Sequence, residues 1–200
     1  SEAERFTKDL AEFRRRLGAT VDEERARREA ALPDPAEIMR RVTLPSTTLW
    51  ERRGSHGDFL SLRAGVGDVP WRPPVTGVDG LGELPEEMAE ALDEVALLKA
   101  SPVPVDLSDG GVVGIVGDRD AALALARSLL CQAAALHGPA GRPMRIRALP
   151  GKGVAWGWAQ GGPHTRDAGG SGRHLSYDPE LSTRLVEARL KANAPKDREG

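Results

Sequence analysis

Cysteine is nearly absent: the chain has one, Cys131, in 200 residues. A single thiol closes no internal disulfide and builds no multi-thiolate metal site. It sits in the apolar helical stretch "SLLCQAAAL", which points to a small buried core residue and not to a reactive thiol. Long apolar runs are missing too. None approaches the roughly 18 residues needed to cross a bilayer, and there is no signal peptide. Nor does charge of one sign dominate. With 28 basic and 30 acidic residues the net charge is −2, whereas a general grip on nucleic acid needs an excess of cations to displace counterions. A local basic patch remains compatible with that balance. Only five of the 28 basic residues are lysine, which reflects a GC-rich coding sequence more than a function. An initiator methionine is also absent, Ser1 coming first, so we expect a segment of a longer protein with any membrane anchor outside it.

What is present describes a soluble globular protein, with 40% hydrophobic and 29% charged residues and length enough for one sizeable α/β domain. Residues 3–31 read as one long helix, because Phe6, Leu10, Phe13, Leu17 and Val21 form a single apolar stripe. Beyond Val21, Glu/Arg pairs at i,i+3 and i,i+4 take over, as on a solvated stalk. Pro33 and Pro35 end it, and Asp34 can cap a short second helix through "PAEIMRRV". In "LPSTTLWERR", Ser46 or Thr47 can cap a helical turn carrying Trp50.

The period then changes. Phe59, Leu60, Leu62, Ala64 and Val66 predict a strand, with a turn at Gly67-Asp68 and a second, proline-rich edge strand from Val69 to Val75. A Gly-rich link at 77–82 precedes the helix "LPEEMAEALDEVALL". "SPVPVDL", the turn "SDGG" and "VVGIVG" predict a β-hairpin feeding a helix over 119–137, apolar enough to be largely buried. "MRIRALP" and "RHLSY" read as short strands, "WGW" as a helical turn, and "DPELSTRLVEARLKA" as a capped amphipathic helix. Strand and helix alternating after residue 103 predict a mainly parallel sheet flanked by helices.

Chemistry is sought first at "GVVGIVGDRDAALALARSLL", where an apolar run breaks at a glycine before a helix. A Walker A loop needs G-x-x-x-x-G-K-[ST], with lysine on the phosphates and a hydroxyl on magnesium. Here Gly117 is followed by Asp118, Arg119 and Asp120, without lysine or hydroxyl. Carboxylates suit a helix N-terminus when nothing else binds there and repel a triphosphate. The loop therefore reads as a helix cap, with an atypical phosphate loop as the other reading. Lys152 in "LPGKGVAW" fails as Walker A, since Gly153 follows it where Ser or Thr is needed. His56, His137, His164 and His174 show no metal spacing and read as solvated or hydrogen-bonded loop residues. No catalytic carboxylate pair or nucleophile arrangement stands out.

Two aromatic and cationic clusters remain. "LWERR" sets Trp50 beside Arg52 and Arg53, either as an interface anchor or as packing against the following hairpin with snorkelling arginines. In "WGWAQGGPHTRD", Trp156 or Trp158 can anchor the fold while His164, Arg166 and Asp167 face a neighbour or a substrate.

Together these motifs carry a family resemblance. "LPDPAEIMRRVTLPSTTLWERRGSHGDFLSLRAGVG", with Asp58, Phe59, Leu60, Arg63, Gly65 and Gly67, resembles the segment after the transmembrane helices of FtsK/SpoIIIE-type ATPases of type VII secretion, the EccC/EssC group. The Trp156, Trp158, Pro163, His164, Thr165 and Arg166 series is similar to the stretch preceding their first ATPase module. The resemblance runs from about residue 9 to 190. It implies a helical stalk over 1–54, an α/β domain like a degenerate P-loop ATPase module over 55–194, and a polar tail over 195–200. It further implies a non-catalytic structural or regulatory domain of a membrane-anchored translocase, on the cytoplasmic side of the cell membrane. No cofactor or metal is expected in this segment, while ATP and magnesium would serve the parent's motor. Partners would be other domains and subunits of the same ATPase and secretion-complex proteins. The alternatives are a nucleotide-sensing domain using Gly117–Asp120, or part of a DNA-translocating relative.

Overall fold

A computed structural model describes residues 2–44, 47–74, 84–108, 112–139, 144–147 and 153–166, and beyond them 175–176, 178, 180, 183–184 and 187. The fold is mixed α/β. Two compact units emerge, one from Ser1–Ser46 with Gly57–Ala133, the other from Thr47–His56 with Ala134–Gly200.

In the first unit the long stripe-bearing helix is α1 (Glu2–Ala31), 30 residues and so about 45 Å in length. Its stripe is shallow. Leu17 is its one buried residue and Phe6 stays exposed, as on a largely solvated helix. The Glu/Arg pairing is real: Glu12 holds Arg15 and Arg16, and Glu24 holds Arg27 and Arg28, at 2.6–2.8 Å. The second helix, α2 (Pro35–Thr43), starts as its sequence demands, with the Glu37 N–H donating to Asp34 Oδ1 at 2.7 Å and Pro35 in the first turn. Ile38 and Arg41 point inward, and Arg41 donates to Glu37 at 2.8 Å.

The sheet departs from expectation. Instead of a mainly parallel sheet, this unit holds an antiparallel ribbon of β1 (Ser61–Pro70) and β2 (Leu97–Asp106), joined through α3 (Glu86–Glu94). The expected turn at Gly67-Asp68 is a bulge within one continuous strand. Two residues of β2, Lys99 and Ala100, oppose Asp68 alone, and Ala100 takes a left-handed φ of 49°. Asp68 supplies what the bulge leaves open, accepting from the Lys99 ammonium at 2.6 Å and the Ala100 N–H at 3.3 Å. Those two bonds hold its carboxyl below the usual aspartate range. Gly67 nearby leaves little room, since a Cβ there would meet Val103 Cγ2 at 3.1 Å and push that methyl by a few tenths of an ångström.

The expected hairpin is also replaced. β2 pairs back with β1, and residues 112–116 lie in no strand. Leu62, opposite Val105, and Leu98, opposite Val69, are fully buried at the two ends of the ribbon, each worth about 2 kcal/mol of burial.

The helix expected over 119–137 is α4 (Arg119–Leu136). It is only one-sided in its burial, not largely buried: Leu129, Gln132, Ala135 and Leu136 form its inner stripe. Cys131 lies off that stripe and is exposed, which corrects the reading of it as a core residue. The last turn of α4 belongs to the second unit. That unit also holds a two-residue parallel pair, β3 (Ile146–Arg147) with β4 (Leu175–Ser176), and 3₁₀ helices at Gly153–Gly161 and Pro163–Thr165. The link at 77–82, the turn at 109–111, Lys152, Asp167, His174, the tail and most of the helix expected over 178–192 lie outside the described residues.

Candidate functional site

Most of the candidate residues gather at the two ends of α4. At its N-terminus, Gly117 has φ = 146°, a conformation that side-chain-bearing residues rarely adopt. The chain then turns so that Asp118 Oδ1 accepts from the Asp120 and Ala121 N–H groups, both at 3.0 Å. Its carbonyl takes the Ala122 N–H at 2.9 Å. Asp118 is thus an N-cap, and the exposed Asp120 adds a second anion where the helix dipole favours one. The amides that a phosphate loop would offer are occupied by the protein's own carboxylate. Arg119 is exposed beside them.

The C-terminus of α4 is served from far along the chain. The final carbonyls of a helix have no intrahelical donor, and a left-handed glycine often supplies the remedy. Gly138 does not, because Gly117 is the one described glycine with positive φ. Four donors arrive instead. Trp50 gives its indole Nε1–H to Ala134 O at 2.9 Å and its backbone N–H to Ala135 O at 2.9 Å. The Arg52 N–H donates to Leu136 O at 2.9 Å, forming a parallel bridge with His137. His164 Nε2 lies 2.6 Å from His137 O. A carbonyl only accepts, so His164 carries its proton on Nε2.

This convergence fixes the environment of each residue. Trp50 has φ = 60°, strained for a bulky side chain, and its ring meets the His164 ring edge-on at 6.1 Å and 73°. Its packing is on α4 and not on a hairpin. Arg52 is buried at 3% exposure, which corrects the picture of a snorkelling arginine. His164 is equally buried and turned inward, not toward a neighbour. The rest of its motif is knitted locally: the Met144 N–H donates to His164 O at 2.7 Å, and the Thr165 hydroxyl reaches Ala159 O and Gly162 O at 2.9 Å each. Arg53 and Arg166 stay exposed, as do Trp50 at 42% and Trp158 at 49%. His56 closes a tight turn on Arg53, its own N–H donating to Arg53 O at 2.9 Å.

One buried polar cluster escaped sequence reasoning. The Gln132 amide grips the backbone of Arg63, accepting from its N–H at 2.8 Å and donating to its carbonyl at 2.9 Å. It stands where a third strand would lie. Arg63 therefore turns its peptide groups away from β2, and Pro104 opposite it costs the ladder no hydrogen bond. The Arg63 guanidinium reaches back to Glu29 Oε2 at 2.6 Å and Leu32 O at 3.1 Å. The signal was available: a glutamine on the apolar stripe of a helix needs a buried partner.

Chemically, the first amides and the last carbonyls of α4 that these residues reach are all met by groups of the chain itself. Among the described residues no three metal-ligand side chains gather, and no helix is long and apolar enough to cross a membrane. A groove of about 280 Å³ lies between Phe13, Leu17 and Thr20 on one side and Pro73, Pro74 and Leu92 on the other. Its one charged lining residue, Arg16, is bonded to Glu12.

No protein-family model matches the chain. It is 29% identical over 187 residues to the ESX-3 secretion system protein EccC3 of Mycobacterium tuberculosis, which takes in 88% of this chain and 14% of that protein. It is 28% identical over 190 residues to the ESX secretion system protein EccC of Thermomonospora curvata, covering 86% of this chain and 14% of the relative. A similar match, 25% over 194 residues, covers 92% of the chain and 13% of the EccC of Geobacillus thermodenitrificans. The similarity is distant but extends over most of the chain. The chain spans only 13–14% of the length of these relatives.

Proposed function

We propose that this chain is a non-catalytic structural and regulatory domain of a membrane-anchored, FtsK/SpoIIIE-like translocase ATPase of a type VII secretion system. It would stand on the cytoplasmic side of the membrane, linking the membrane region to the motor. Its partners would be neighbouring domains of the same ATPase and subunits of the secretion complex.

The observation that carries this reading is how the motif residues are spent. Trp50, Arg52 and His164, drawn from the two segments that carry the resemblance, close the end of α4 and leave no open coordination or nucleophile. The Asp118 carboxylate on the first amides of α4 supports the same conclusion, because a nucleotide would have to displace an anion of the protein. ATP and magnesium would act elsewhere in the parent chain.

Calorimetric titration of this chain with Mg-ATP tests the non-catalytic part. We expect no saturable heat, and saturable binding abolished by Gly117→Asp would replace this reading with nucleotide sensing. The linking role is tested in the whole ATPase by Trp50→Ala. Secretion should fall while ATP hydrolysis by the isolated motor persists. Unchanged secretion with a destabilised domain would overturn the role.

A further inference from the structure

The segment richest in strand-forming residues is one that the structure leaves outside any sheet. Val112, Val113, Ile115 and Val116 surround Gly114, yet among the described residues no hydrogen bond involves this run. Its exposure alternates. Val112 and Val116 stand at 96% and 97%, Gly114 is exposed, while Val113 at 45% and the half-buried Ile115 are more sheltered. A period of two is the signature of a strand with one face to its own protein and one to solvent. An apolar run with free backbone groups is a template for β-pairing.

We propose that residues 112–116 are a strand-addition site for another polypeptide, an extended segment with a bulky apolar residue at its centre and Lys or Arg at both ends. The centre follows from shape. Gly114 lies between the outward Val112 and Val116, and a Cβ there would meet nothing within 4 Å. A large side chain opposite it would cover the bare glycine and touch both valines.

The ends follow from charge. Asp106 and Asp109 precede the run, and Asp118 and Asp120 follow it with only Arg119 opposing. The same acids exclude a second copy as the occupant. Parallel self-pairing would set Asp118 and Asp120 on their own images, and antiparallel self-pairing would bring them toward the acidic residues that precede the run. Like charges flanking a strand are a known device against self-association.

The probe is a labelled peptide, Lys-Val-Thr-Phe-Thr-Val-Lys, followed by fluorescence anisotropy and by amide hydrogen exchange of the chain. We expect slowed exchange at 113–116 and at least about tenfold weaker binding when both lysines become glutamate, since exposed charge complementarity acts mainly on encounter and selectivity. Methylating alternate peptide nitrogens should abolish binding. So should Gly114→Pro or Val116→Asp in the chain, both at open positions where circular dichroism should show an unchanged fold. Absent protection, equal binding of the acidic peptide, or indifference to both variants would overturn the proposal. Self-association in sedimentation that Val116→Asp removes would overturn the choice of partner. None of these results bears on the role proposed within a secretion ATPase.

Discussion

The two ends of α4 solve the same problem in opposite ways. At the start, Asp118 satisfies amides two and three residues ahead of it. At the finish, donors from Trp50, Arg52 and His164 come from segments more than 80 residues upstream and 27 downstream. A cap of the first kind holds a helix and nothing more. The second kind ties three stretches of chain to one helix end, so its loss is felt throughout the second unit. Conserving orphan carbonyls for distant donors makes them the knot of that unit.

Breaking the knot should therefore cost far more than breaking the cap. Trp50→Ala removes the indole donor, the edge contact with His164 and the shelter over the helix end, while keeping the left-handed backbone that disfavours any Cβ. We expect a loss of about 3 kcal/mol in chemical denaturation, at the high end of ordinary substitutions. Trp50→Gly tells the two components apart. It loses the same contacts but relieves the backbone, so it should be about 1 kcal/mol more stable than Trp50→Ala. If the two variants melt together, the positive φ stores no strain.

Gln132→Ala tests the long-range principle within α4 itself. It strips the buried N–H and carbonyl of Arg63 of their partners. A loss of about 2 kcal/mol is expected, the desolvation cost of polar groups left unmade. Exchange of the Arg63 amide with solvent should speed up selectively. A loss no greater than that of an exposed alanine substitution would mean that water replaces the glutamine without cost.

Legibility follows the same divide. Helix α1, the Asp34 cap of α2, the extent of α4 and its capping aspartate could be read from residues within a few positions of each other, because their energetics are local. The strand pairing could not. "SPVPVDL" and "VVGIVG" are neighbours joined by a good turn, yet β2 chose β1, where Leu62 and Leu98 are each buried at one end of the ribbon and Gln132 fills the outer edge. Nothing near Val112 in the sequence announces that choice. At the candidate site, Trp50 and His164 stood out as unusual residues in polar loops, but their meeting on one helix end depends on a fold that pattern alone does not supply. The error over Cys131 has the same root: the apolar composition of α4 suggested burial all round, while only the stripe of Leu129, Gln132, Ala135 and Leu136 is buried.

The N-terminal cap supplies the next smaller effect. Asp118→Ala should cost about 1 kcal/mol, the usual worth of a capping side chain, and Asp118→Asn should recover most of it because the amide oxygen still accepts. The loss should appear as fraying at Asp120 and Ala121 in hydrogen exchange, with residues 134–137 unaffected. Faster exchange at both ends together would dissolve the distinction between local and long-range caps.

The smallest effect belongs to the exposed ion pairs of α1 around Glu12, which are as local as Asp118 but solvated. Hydrogen bonds from Arg15 and then Arg16 hold the Glu12 carboxyl at about 2, against an ordinary 4.5, and Arg40 and Arg41 do the same for Glu37. A carboxyl whose folded value is depressed stabilises the fold fully above 4.5, and that contribution disappears as pH falls from 4.5 toward 2. Glu12→Gln should therefore melt slightly below the parent at pH 7, and the gap should close through that acid window. Glu12 and both of its arginines are exposed, so solvent and about 0.5 M salt should nearly erase the gap at neutral pH. The gap should stay well below that of Asp118→Ala, because Glu12 bonds only to side chains that water can serve as well. Asp118 holds main-chain amides that begin a helix. A gap that widened in acid would reverse the sign of the linkage and show that Glu12 is held by something other than its arginines.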